Sequence, residues 1–146
     1  MFKHRSLVCW LLFPLVLYPV AAQGGASCYS YEPTIVSLNG VITRRTYPGP
    51  PNYENVANGD RPETSWLLNL DASICVDEDK SKSDLNPNQK QVRSIQLVLE
   101  PAQYEKFKAL VGKPVVASGS LFGAHTAHHH TPVLLTVKDI VPERSK

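Results

Sequence analysis

After its first 22 residues the chain offers no apolar run long enough to cross a bilayer, which takes about 20 consecutive residues, and it shows no internal repeat. It has no Gly-rich phosphate loop and no nucleophile elbow, so nothing marks a nucleotide-binding enzyme or an α/β-hydrolase. Surplus charge is missing as well. The 15 basic and 13 acidic side chains become 13 of each once Lys3 and Arg5 are set aside with the first 22 residues. A neutral domain lacks the Lys and Arg excess that displaces counterions from phosphates, which disfavours nucleic acid as a partner. The acidic run Asp77-Glu78-Asp79 with Asp84 has neither the glycine nor the terminal glutamate of an EF-hand loop, and reads as a solvated loop.

Residues 1–22 form three zones: a positive start at Lys3 and Arg5, an apolar stretch over 7–17 interrupted by Pro14, and the small residues Val20-Ala21-Ala22. This is the pattern of a cleavable signal peptide, and it predicts export to a periplasmic or secreted location. Residues 23–146 then form one domain, long enough for one core. Cys9 lies in the signal, leaving Cys28 and Cys75. An even pair in an oxidising compartment predicts a disulfide, which leaves no free thiol as a nucleophile.

The mature chain reads as mainly β with one helix. Residues 34–46 (TIVSLNGVITRRT) alternate apolar and polar and are rich in β-branched side chains, with Gly40 marking a bend. Residues 47–63 (YPGPPNYENVANGDRPE) are too rich in Pro, Gly and Asn for a strand. Further strands are expected over 64–70, with 74–76 extending it, over 92–99, 115–122 and 132–141. Between the third and fourth, Pro101 opens a helix and Gly112 closes it, with Tyr104, Phe107, Leu110 and Val111 on one face. The order β-β-β-α-β-β, with a glycine bend in the first strand, predicts a five-stranded OB-fold-like barrel, its helix plugging one end through Leu110.

Three stretches carry a resemblance: Tyr47-Pro48-Gly49-Pro50-Pro51-Asn52-Tyr53-Glu54, then Pro62-Glu63 with Trp66, and the run from Leu121 through His125-Thr126-Ala127-His128-His129-His130-Thr131-Pro132 to Val137. They resemble a family of small secreted bacterial proteins known as a domain of unknown function. The resemblance implies a bacterial, periplasmic protein and brings no activity and no site residues.

All the histidines beyond the signal fall within six residues: His125, His128, His129 and His130. Neutral imidazole is a common metal ligand. With alternating side chains, His128 and His130 share one face and His129 takes the other. His125, His128 and His130 are therefore the candidate metal ligands, for zinc or copper, although the spacing is not that of HExxH. In OB-folds the loops joining strands one to two and four to five frame the binding face. Those loops are residues 47–63 and 123–132, which nominates Arg44, Tyr47, Tyr53, Asp60 and Glu63 as ligand-binding, with Arg45 beside Arg44. The expectation is a non-catalytic binding module holding a protein, peptide or small ligand between these loops. The alternative is a metal-binding protein or metal-dependent hydrolase using the histidine cluster, with Asp60 or Glu63 as general base.

Overall fold

The computed structural model describes residues 28–144, so the segment expected to be a signal peptide lies outside the described residues. Five strands occur in chain order: β1 (Ile35–Pro48), β2 (Pro62–Val76), β3 (Gln89–Val98), β4 (Pro114–Gly123) and β5 (Val133–Pro142). One helix, α1 (Pro101–Phe107), stands between β3 and β4 and continues into a 3-10 turn, Lys108–Leu110. The strands close in the order β1-β2-β3-β5-β4, a barrel. The order β-β-β-α-β-β is the expected one, and the closure is compatible with an OB-fold.

Closure depends on β1 serving two partners. Its first half pairs with β4 and its second with β2, and Gly40 belongs to both ladders, opposite Val115 and Leu70. A Cβ there would lie 2.2 Å from the Asn69 carbonyl oxygen, so only glycine lets the two backbones approach where the strand turns. The β3–β5 seam is short and parallel, from Gln96 opposite Leu134 to Val98 opposite Thr136. Beyond it α1 takes over: the Gln103 side-chain amide donates to the Val137 carbonyl oxygen, and Lys106 pairs with Asp139 at 2.8 Å.

Alternation fills the barrel. Leu38, Ile42, Leu68, Ile95, Leu97, Val115, Leu121, Val133 and Leu135 all point inward and are buried. The plug at the helix end is Phe107, 2 % exposed, whereas Leu110 is only partly buried against the core. The expected helix to Gly112 is shorter because the last turn tightens to 3-10, which swings Leu110 off the α-helical face. Gly112, at φ 80°, turns the chain out and donates to the Ile42 carbonyl oxygen. Tyr104, also expected on the buried face, is half out and rests edge-on against Trp66.

Cys28 and Cys75 form a disulfide, as expected. It anchors the chain at the end of β2, where Tyr29 pairs in parallel with Val76.

Candidate functional site

The site grows from the outer face of the sheet. Inward residues Ile42, Leu68, Leu97, Leu121 and Leu135 alternate with an outward row in which Thr43, Leu67, Gln96, Leu134 and Phe122 stand opposite one another across all five strands. Leu67, Gln96 and Leu134 are buried although they lie outside the barrel interior. Something covers them, and the Gln96 side chain identifies it. Its amide nitrogen donates to the His128 carbonyl oxygen at 2.9 Å, and its oxygen accepts from the His130 backbone N–H at 2.7 Å. One side chain thus makes the two hydrogen bonds a neighbouring strand would have made. The Thr131 hydroxyl seals the exit of the loop, accepting from Gln96 N–H and donating to the Val133 carbonyl oxygen. The histidine loop is therefore laid back over the outer face of β2 and β3.

That face carries the first-loop candidates. Tyr47 and Glu63 are direct cross-strand partners at the ends of β1 and β2, so the pleat turns both toward the histidine loop. Tyr47 stacks on His130, ring centroids 3.8 Å apart and planes within 8°, and the Arg45 guanidinium stands 5.1 Å from the Tyr47 ring centroid. Glu63 reaches between two imidazoles: its Oε2 is 2.7 Å from His128 Nδ1 and its Oε1 is 3.7 Å from His130 Nε2. The second contact is too long for a hydrogen bond, and His130 Nε2 is buried without a partner. Tyr53 closes the group, its hydroxyl 3.1 Å from His128 Nε2 and its ring edge-on to the imidazole.

Not every candidate joins. Arg44 alternates to the other face of β1, opposite Trp66, so Arg45 is the arginine over Tyr47. Asp60 is buried, and it spends both carboxylate oxygens on the loop that carries it, accepting from the backbone N–H groups of Asn52, Glu54 and Asn55 at 2.8 to 2.9 Å. These bonds hold its carboxyl below the usual carboxylate range. The bonded amides lie on both sides of Tyr53 in the chain, and Asp60, buried in that turn, orders the loop and does not face the histidines.

The four histidines divide into two pairs. His128 and His130 face Glu63, as alternation predicts, though the residues lie in a turn before β5. His125 pairs instead with His129: the His125 backbone N–H donates to His129 Nδ1 at 3.0 Å, and both rings lie against Phe122. His125 Nδ1 is taken up by the Gly123 carbonyl oxygen. Burial first, then the neighbouring His125, holds the His129 imidazole below the usual histidine value. His125 is thus not brought to His128 and His130, and among the described residues no three His, Cys, Asp or Glu side chains are grouped to hold a metal ion. Beside the second pair lies an open cleft of about 300 Å³ bordered by Glu32, Lys82, Leu85, Phe122 and His125.

Sequence reasoning did not single out Gln96 and Thr131. Their signal was a polar residue flanked by the apolar Ile95 and Leu97 and a hydroxyl just ahead of Pro132 and β5.

Fold and site together define a small disulfide-tied β-barrel with an imidazole, phenol and carboxylate cluster on its rim. Residues 94–141 match the model of a family described as Domain of unknown function (DUF4431), in agreement with the resemblance read from the histidine stretch. The match runs from within β3 to within β5 and includes Gln96 and the whole histidine loop, while Tyr47, Tyr53 and Glu63 lie outside it. No curated protein matches the chain, and no solved structure does.

Proposed function

We propose that the chain is an exported binding module that holds a small ligand or a peptide end at the rim formed by residues 47–63 and 123–132. The disulfide and the lack of any membrane-crossing helix among the described residues are compatible with export. One observation carries the reading. Tyr47, Tyr53 and Glu63 from one loop region meet His128 and His130 from another, 65 residues on in the case of Glu63 and His128. Two aromatic faces, a carboxylate and imidazoles within one patch supply stacking, charge and hydrogen bonding to a ligand, on loops fixed to a rigid barrel.

A thermal-shift screen of peptides, sugars and amino acids tests it. A ligand bound only by the folded protein raises Tm with its concentration. The expected result is a shift in the wild type that Tyr47→Ala and His128→Ala each abolish. A shift that survives both and disappears with Phe122→Ala would transfer the site to the cleft beside His125 and overturn the reading.

A further inference from the structure

Glu63, His128 and Tyr53 form a hydrogen-bonded chain with a direction. An ionised carboxylate only accepts, so the 2.7 Å contact from Glu63 Oε2 places the ring proton of neutral His128 on Nδ1. Nε2 then presents its lone pair, and the Tyr53 hydroxyl, 3.1 Å away, is the donor. A hydroxyl, a base within reach of it and a third group that orients the base are the parts of an activated nucleophile. We propose that Tyr53 is a nucleophile toward activated carboxylic esters, with His128 as its general base and Glu63 as the positioning residue.

The surroundings suit that task. Tyr53 sits at φ 61°, a left-handed conformation uncommon for a bulky side chain. It is imposed from both sides: the Asp60 carboxylate takes the amides of Asn52, Glu54 and Asn55, and the Tyr53 amide donates to the Gly49 carbonyl oxygen. Gln96 fixes the His128 backbone from below. The base is still open to solvent, with the His128 side chain 54 % exposed, so an ester can reach the pair. Among the other tyrosines, Tyr31 gives its hydroxyl to the Pro87 carbonyl oxygen and has no base beside it.

In the step, the Tyr53 oxygen attacks the ester carbonyl carbon while its proton passes to His128 Nε2. The bond to the leaving alcohol breaks, and the departing oxygen takes that proton. The products are acyl-Tyr53 and a free alcohol. Water, deprotonated by the same imidazole, then releases the carboxylic acid and restores the phenol, with no change of oxidation state.

This activity goes beyond the binding reading and is tested without any natural ligand. The mature, disulfide-bonded protein is exposed to p-nitrophenyl acetate at pH 7.5, with p-nitrophenolate followed optically and acetylated residues located by peptide mass spectrometry. Acetyl should appear on Tyr53 at least about a hundredfold faster than on Tyr29 or Tyr47, the low end of what a positioned base supplies. His128→Ala should remove that advantage, and Tyr53→Phe should remove the burst of p-nitrophenolate. Glu63→Gln keeps a hydrogen-bonding partner for the ring but allows the tautomer with its proton on Nε2, which cannot act as a base. It should therefore leave Tm unchanged, slow Tyr53 acetylation, and move the His128 ring proton in nitrogen NMR spectra. Acetylation of Tyr53 no faster than of Tyr29 overturns the proposal. So does a burst that persists in Tyr53→Phe with the acetyl group on His128.

Discussion

At the residue scale, the site is held by side chains that do not face a ligand. Asp60 gathers three backbone amides around Tyr53, and Gln96 supplies two hydrogen bonds under His128 and His130. Asp60 makes a pH prediction. Its folded pKa lies below the unfolded value of about 3.9, so its stabilisation is complete above that value and is lost as pH falls through the lowered folded pKa. Asp60→Asn, which keeps one acceptor oxygen, should be less stable than the wild type in urea titrations at pH 7. The gap between the two proteins should narrow on acidification below about pH 4. A gap independent of pH would mean that the carboxylate charge has no part in ordering the loop. The site was half legible in the sequence for a related reason. Tyr47, Tyr53, Glu63, His128 and His130 could be named because aromatic, acidic and imidazole side chains clustered in two loops of known placement. Arg44 was misplaced by one residue, since the register between β1 and β2 decides which arginine shares a face with Tyr47. Asp60 was misread because a carboxylate used on its own backbone looks, in sequence, like one free for chemistry.

At the scale of elements, periodicity located all five strands and the helix, with strand ends within three residues, the two expected pieces of β2 joined into one strand, and the α-helix ending earlier, at Phe107. The junction is where register slips between Asn69 and Ile74, a bulge that interrupts alternation and made one strand look like two. The helix was placed correctly but its most buried residue was not. Seven-residue α1 ends at Phe107 and the following turn is 3-10, so a 3.6-residue period extrapolated to Leu110 fails by the tighter winding. Phe107→Ala should therefore cost about 3–5 kcal/mol, as large-to-small changes at fully buried aromatic positions do. Leu110→Ala, at a partly buried position, should cost clearly less. Equilibrium urea unfolding of the two variants checks the order, and a larger loss at Leu110 would mean that the helix seats in the barrel differently.

At the scale of the whole molecule, the barrel closes through β1 and β4, and the disulfide ties the chain ahead of β1 to the far end of β2. Between Cys28 and Cys75, 47 residues apart, lie all of β1 and the loop that carries Tyr53. The Tyr29 amide donates to the Cys75 carbonyl oxygen, and the Asp77 amide to the Tyr29 carbonyl oxygen, so the bridge is flanked by a short backbone ladder of its own. A crosslink of this span restricts the unfolded chain by about 4 kcal/mol in the loop-entropy description, a large fraction of the 5–15 kcal/mol typical of a folded domain. The rim site should feel this loss less than the barrel does, because Gln96, Asp60 and the β1–β2 register position it without the bridge. Changing both Cys28 and Cys75 to Ser should thus lower stability to urea by several kcal/mol. Under native conditions the remaining folded molecules should still show the Tyr53–His128 and Tyr47–His130 contacts, read as unchanged aromatic and imidazole resonances in NMR spectra. Loss of those contacts in molecules that remain folded would show that the bridge positions the loop carrying Tyr53 as well as stabilising the barrel.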